Sequence, residues 1–245
     1  MGSRLTGQLA MKEMRTAVIL VGGSGLRMRP LTEDMPKCMI PLRGKPLIHW
    51  TLEWLKGYGF EHAVLGVAYR KEVIIDYLKK HPVGLKVDYS EHSVEGETGE
   101  GFRLAIQRFV NDENFLAMNG DETTNLDLQR LEDQHLKNKP VATIAVSPMR
   151  SPFGILEIEG NDIVGFREKI LLKDKLVSIG VYAFNHEILN YLPAKGSIEK
   201  TAFPALAQKR LLKACRLSKD EVWLTINSVK DLSVAEKELA FIRGL

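Results

Sequence analysis

"TAVILVGGSGLRMRPLTEDMPKCMIPLRGKP", residues 16–46, runs from an unbroken apolar stretch into a segment dense in glycine, proline and positive charge. The first six residues read as a strand buried on both faces, because aliphatic side chains follow one another without polar alternation. From Leu20 to Pro46 there are four glycines, four prolines, three arginines and two lysines, which is loop punctuation rather than helix or strand. In an open α/β sheet, ligands bind beyond the carboxyl ends of the strands, and this loop leaves such an end. Gly22, Gly23 and Gly25 allow close backbone approach, so the amides from Val21 through Ser24 to Gly25 can wrap a phosphate chain, with Arg27 and Lys37 supplying charge. The pattern is neither the Walker motif nor the dinucleotide fingerprint GxGxxG.

Further along the chain, strand and helix keep alternating. "PLIHWTLEWLKGYGF" (46–60) has helical spacing with Pro46 at its first turn, "HAVLGVAY" (62–69) reads as strand and "KEVIIDYLKK" (71–80) as helix. "LKVDYSEH" (85–92), "GEGFRLAIQRFVN" (99–111), "NFLAMNGDE" (114–122), "LDLQRLEDQHLKNK" (126–139) and "VATIAVSPM" (141–149) continue the exchange. This predicts an α/β fold, with a mixed, mostly parallel sheet flanked by helices on both faces. From Pro152 the pattern changes. "FGILEIEGNDIVGFREK" (153–169) predicts a hairpin turning at Gly160-Asn161, followed by the strand "LVSIGVYAF" (176–184) and a helix within "EKTAFPALAQKR" (199–210). The expected organisation is one domain: an N-terminal extension (1–14), a first lobe that carries the Gly-rich loop (15–150), and a β-rich second lobe with a closing helix (151–245).

Composition narrows the function classes. The 245 residues are 44% hydrophobic, and Lys plus Arg exceed Asp plus Glu by only three. Such a balance argues against a partner held by bulk charge, whether nucleic acid or an anionic membrane, so anion recognition must be local. Cys38 and Cys215 show no metal-ligand spacing and read as structural thiols in a reducing compartment. No stretch is apolar enough to span a bilayer, and "MGSRLTGQLAMKEMR" lacks the apolar core of a signal peptide, so a cytoplasmic location is expected.

The loop as a whole is more specific than its glycines. Gly22, Gly23, Gly25, Arg27, Pro30, Thr32, Pro36 and Lys37 resemble, in order and spacing, the signature GGxGxRxxPxTxxxPK of the sugar-phosphate nucleotidylyltransferases. The resemblance extends through Lys45-Pro46, "NGD" (119–121), "FGILEI" (153–158), "FREK" (166–169), "GVYAF" (180–184) and "NSVKDLSVAEKEL" (227–239). It implies a Rossmann-like fold and the reaction of an NTP with a sugar 1-phosphate (hexose or heptose, glucose or mannose type) to give an NDP-sugar and pyrophosphate. A catalytically silent NDP-sugar-binding regulatory subunit is the alternative reading.

The resemblance also implies roles. Arg27 grips the β- and γ-phosphates, Lys37 contacts the reacting phosphates, and Asp121 ligates Mg²⁺, the expected cofactor. Many relatives place a second acidic ligand where "WLTINSVKDL" (223–232) has Thr225, so Asn227 is taken as the substitute ligand. Base recognition falls on Thr98, Gly99 and Gly101 within "EGETGEGFRLA" (95–105), where Glu97 and Glu100 are unusual. A carboxylate accepts hydrogen bonds without donating them, which suits guanine or cytosine over uracil. Sugar recognition falls on Gly154, Glu168, Lys169 and Ser178, although Ile170 stands where the family usually has Pro and Ser178 where it often has Asn. Glu122 has no family counterpart to give it a role. The implied partners are an NTP and a sugar 1-phosphate, with assembly into a homo-oligomer left open.

Overall fold

The structure is a computed structural model that describes residues 14–226 and 228–243. The opening apolar run forms β1 (Thr16–Leu20). The loop after it carries 3-10 turns at Leu26–Met28 and Lys37–Met39, then a small hairpin of β2 (Pro41–Leu42) and β3 (Lys45–Pro46). Pro46, with φ fixed near the helical value, leads into α1 (Leu47–Gly57). Next come β4 (His62–Val67), α2 (Lys71–Lys80), β5 (Lys86–Glu91), α3 (Glu97–Phe109), β6 (Asn114–Asn119), β7 (Glu122–Thr124), α4 (Leu128–Asn138) and β8 (Ala142–Arg150). The second part holds β9 (Ile155–Glu159), β10 (Asp162–Arg167), β11 (Leu171–Asn185), α5 (Ala202–Gln208), β12 (Leu212–Arg216), β13 (Trp223–Thr225) and α6 (Val229–Arg243).

Seven strands form the central sheet in the order β12-β8-β11-β6-β1-β4-β5. β11 runs against both its neighbours, and every other adjacent pair is parallel. The mixed, mostly parallel sheet expected from the alternation is therefore present. Successive residues of β1 serve opposite faces: Ala17 and Ile19 join Leu52 of α1, Ile74 of α2 and Leu131 of α4, whereas Val18 joins Phe102 of α3 and Phe203 of α5. This is the layered solution for strands with no polar face. A third cluster joins Met28 and Ile40 of the Gly-rich loop to Trp50, Ile226 and Ala235, so α6 closes over that loop.

The expected hairpin forms as β9 and β10, turning at Gly160, whose φ is +61°. It makes its own two-stranded sheet outside the central one. Residue 150 ends β8, yet β11 and β12 return to the central sheet, so both halves of the chain build one layer. The sequence reading did not anticipate the β2–β3 hairpin, β12, or the pairing of β7 with β13, because runs of two to five residues carry little periodicity. Cys38 and Cys215 are both buried free thiols. Among the described residues no helix is long and apolar enough to cross a membrane.

Candidate active site

β1 and β6 are adjacent and parallel, so their carboxyl ends bring two loops together. From β1 comes the Gly-rich loop, and from β6 the turn Gly120-Asp121. Gly120 donates its amide to the Leu20 carbonyl at 2.8 Å, and a Cβ on Gly120 would stand 2.5 Å from Val21 Cγ1. This backbone contact fixes where Asp121 emerges. Lys37 arrives from the far end of the loop, where its Nζ donates to Asp121 Oδ2 at 2.7 Å. Lys37 is buried and Asp121 half-buried, so solvent screens the pair only in part.

The loop is shaped by its own bonds. Thr32, fully buried, donates its hydroxyl to the Gly25 carbonyl at 2.8 Å, and Met28 donates its amide to the same oxygen. Gly25 has φ +62°, and a Cβ there would crowd Thr32 and Lys37. The Val21 amide is taken by the Gly66 carbonyl, extending the sheet by one bond. Among the described residues, no hydrogen bond uses the amides of Gly22, Gly23, Ser24 or Gly25. A row of such amides beside a lysine has the chemistry to accept an anion. Arg27 stands exposed on the first 3-10 turn.

A cleft of about 460 Å³ opens here, walled by Val21, Gly22, Gly23, Lys37, Thr98 and Asp121 among the expected residues. The size suits a small ligand. Ser24, Gly25, Arg27, Gly99, Gly101, Gly154, Glu168, Lys169 and Ser178 are not part of its wall. Glu97, singled out in the sequence as an unusual carboxylate of the base-recognition segment, lines it, and so do His92, Ser197 and Glu199, which were not expected as site residues. Ser197 and Glu199 come from a loop a hundred residues downstream of α3, and local pattern could not have found them. Thr98 ties that loop in place: its hydroxyl donates to Glu199 Oε2 at 3.1 Å and accepts the Ile198 amide at 3.0 Å.

Gly99 and Gly101 lie inside α3 with structural duties. The Gly99 amide donates to the Gly196 carbonyl, and Gly101 leaves room for Leu20 and His92. The two unusual carboxylates separate. Glu100 turns back on its own loop, where its Oε2 accepts the Ser93 amide at 2.8 Å and the Ser93 hydroxyl. Those bonds hold its pKa below the ordinary carboxylate value. Glu97 remains on the cleft wall with φ +53° and ψ −158°, a region that glycine alone tolerates well.

Glu122, next to Asp121, is pushed up to about 8 by burial first and by the Asp121 charge second. The Trp223 indole, donating to its Oε2 at 2.6 Å, works the other way. β13 thus lies beside the Asp121 turn, with Thr225 opposite Glu122. Asn227 lies outside the described residues. No cluster of three or more His, Cys, Asp or Glu side chains among the described residues forms a metal cage. Mg²⁺ needs none, since it commonly takes one or two carboxylates and completes its shell with phosphate oxygens and water, and Asp121 on the cleft wall fits that donor set.

Gly154 and Glu168 meet at the base of the β9–β10 hairpin. A Cβ on Gly154 would lie 2.5 Å from the Phe166 ring and 3.1 Å from Glu168 Oε2. The Lys169 backbone, at φ +51°, accepts an Arg150 guanidinium bond at 3.2 Å. Ser178 is exposed on β11, and its hydroxyl accepts the Gly180 amide at 3.2 Å.

The "Nucleotidyl transferase" family model matches residues 16–240. The chain is 30% identical over 220 residues to a D-glycero-alpha-D-manno-heptose 1-phosphate guanylyltransferase from Campylobacter jejuni, covering 88% of this chain and 96% of the relative. It is 28% identical to the enzyme of the same name from Aneurinibacillus thermoaerophilus, covering 91% and 97%. The crystal structure of HddC from Yersinia pseudotuberculosis superposes with a TM-score of 0.73 at 25% identity, over 92% of this chain and all of that one. With the lysine–aspartate pair and the row of loop amides where two parallel strands end, these matches establish that the chain belongs to the nucleotidyl transferase family and, within it, to the sugar-phosphate nucleotidylyltransferases.

Proposed function

We propose that the chain transfers a guanylyl group from GTP to the 1-phosphate of a manno-configured hexose or heptose. The names of the similar enzymes support this reading, and the observation that carries it is Glu97 on the cleft wall. Guanine offers N1–H and N2–H₂ as donors to a carboxylate, whereas uracil and thymine present mostly carbonyl oxygens.

The chemistry follows from charge. A sugar phosphate, with a second pKa of about 6, is largely dianionic at neutral pH, so its oxygen attacks the α-phosphorus without a general base. The new P–O bond forms as the α–β anhydride bond breaks, and the pair of electrons leaves with pyrophosphate. What the protein supplies is fixed positive charge and alignment. The loop amides and Lys37 hold the reacting phosphates, and Arg27 reaches the departing pyrophosphate. Asp121 holds Mg²⁺ with Asn227 as its second ligand, and the ion, when bound, neutralises phosphate charge. Glu168 accepts from sugar hydroxyls, Lys169 pairs with the sugar phosphate, and Gly154 and Ser178 complete that end. A silent regulatory subunit would have no chemical need of Arg27, Lys37, Asp121 and Lys169 together.

Pyrophosphate release tests the reading, with GTP, ATP, UTP, CTP and dTTP each offered mannose 1-phosphate, glucose 1-phosphate and a manno-heptose 1-phosphate over a Mg²⁺ titration. GTP with a manno-configured phosphate should dominate, and Glu97→Gln should narrow the GTP preference at least tenfold. Equal turnover of UTP or dTTP by the unaltered protein would overturn the base assignment.

A further inference from the structure

Glu199 puts a carboxylate on the wall of a cleft whose ligands are anionic. Its Oε2 accepts two neutral hydroxyls, Ser197 at 2.6 Å and Thr98 at 3.1 Å, and among the described residues no hydrogen bond or ion pair uses Oε1. Asp121 on the same wall is paired with Lys37, whereas Glu199 has no cation at such a distance among the described residues. The loop that carries Glu199 is tied down along its length. The Gly99 amide donates to the Gly196 carbonyl at 2.8 Å, the Gly196 amide to the Gly96 carbonyl at 3.1 Å, and the Ile198 amide to Thr98 Oγ1 at 3.0 Å. A Cβ on Gly99 would stand 2.5 Å from the Gly196 oxygen, so only glycine permits this approach. A carboxylate fixed before its ligand arrives loses little freedom on binding.

We propose that Glu199 accepts hydroxyl groups of the sugar 1-phosphate and is a specificity-determining residue for that substrate, an assignment that rests on the sugar 1-phosphate being the acceptor of the reaction. Charge limits what this carboxylate can meet. It repels the phosphates of both substrates, which leaves their neutral, hydroxyl-bearing parts, the ribose and the sugar. Position chooses between the two. The Glu199 charge acts on the buried Tyr182, where it adds to burial in holding the phenol above its ordinary value, while hydrogen bonds with the Ser178 and Asn119 side chains work the other way. Glu199 therefore stands near a hydroxyl that links Asn119, on the cleft wall, to Ser178, the residue assigned to the sugar end. Glu199 as acceptor and the Asn119 amide as donor give this end of the cleft both of the partners that sugar hydroxyls use.

Calorimetric titration with GDP and with GDP-mannose tests this without turnover. Glu199→Gln keeps the shape and one acceptor oxygen but not the charge. It should bind GDP within about twofold of the unaltered protein and GDP-mannose at least tenfold more weakly. Glu199→Asp, which keeps the charge but draws it back by one methylene, should show the same selective loss. The 2-deoxy, 3-deoxy and 4-deoxy forms of mannose 1-phosphate, turned over with GTP, then locate the hydroxyl. The analogue that lacks it should cost the unaltered protein at least tenfold in kcat/KM and the Gln variant less than about twofold. Equal weakening of GDP and GDP-mannose would give Glu199 to the ribose or to the fold of its loop, and unchanged binding of both would remove it from the site; either result overturns the proposal. Should another base or sugar prove to be preferred, the matching nucleoside diphosphate and its sugar replace the pair, so the contrast is read independently of the base assignment. An unaltered protein that binds no such diphosphate sugar would sink the acceptor reading itself, and this assignment with it.

Discussion

Arg27 and Lys37 carry the same charge on the same loop in opposite surroundings. Arg27 is exposed on its 3-10 turn, and its removal should lower turnover by about two orders of magnitude with little change in melting temperature. Lys37 is buried against Asp121, so Lys37→Ala should lose a similar factor in rate and also about 1–3 kcal/mol of stability. Turnover and denaturant midpoints measured on both variants separate these outcomes, and equal stability losses would contradict the difference in burial. Glu97 presents the reverse case. Its φ of +53° belongs to glycine, so Glu97→Gly should raise stability by about 1–3 kcal/mol while relaxing the choice of NTP. A stabilised variant with unchanged base selectivity would mean that the strain serves something other than recognition.

At the scale of elements, α4 shows how the sequence anchors a helix and how the sheet then constrains it. Asp127 caps it, accepting the Gln129 amide at 3.0 Å and the Arg130 amide at 3.4 Å. On its inner face His135 is fully enclosed. Its Nε2–H donates to Asn114 Oδ1 at 3.2 Å, and its Nδ1 accepts the Thr143 hydroxyl at 2.9 Å. Burial lowers its pKa from 6.5 to about 4. The unfolded chain therefore takes up this proton first as pH falls. The neutral ring's contribution is complete above about pH 6.5 and is lost as pH falls through 4. His135→Gln, which does not titrate, should flatten that slope. The wild type should lose on the order of 2–3 kcal/mol more than the variant between pH 7 and pH 4 by urea unfolding. Parallel curves for the two proteins would show that the folded imidazole takes up its proton as readily as the unfolded one, with solvent reaching it without unfolding.

Across the whole molecule, the linked aromatic rings concentrate on the α3–α5 face of the sheet. There Phe184 stacks on Tyr182 at 5.4 Å between ring centroids and meets Phe102 and Phe115 edge-on. Phe184→Ala should cost about 3–5 kcal/mol, because three fixed rings cannot collapse into the space, and calorimetry of the two proteins checks it. The same scale separates what was legible in the chain from what was not. Alternation of apolar runs and helical spacing is local, and it was enough to predict the mixed, mostly parallel sheet and its flanking helices. The Gly-rich loop was equally legible, since eight fixed positions within sixteen residues need no distant partner. That glutamate at 100 bonds its own loop while glutamate at 97 faces the cleft depends on how α3 meets Ser93, which two neighbouring carboxylates do not disclose. The cleft wall from Ser197 and Glu199, and Thr225 opposite Glu122, join segments about a hundred residues apart. The amphipathic alternation of the β9–β10 hairpin could be read in residues 155–167, but not that its apolar face stays uncovered. The sequence by itself determined the longer strands, the helices and the Gly-rich loop, because backbone sterics and hydrophobic period act between near neighbours. Which side chains line one cleft was decided only by tertiary structure, since long-range register has no local signature.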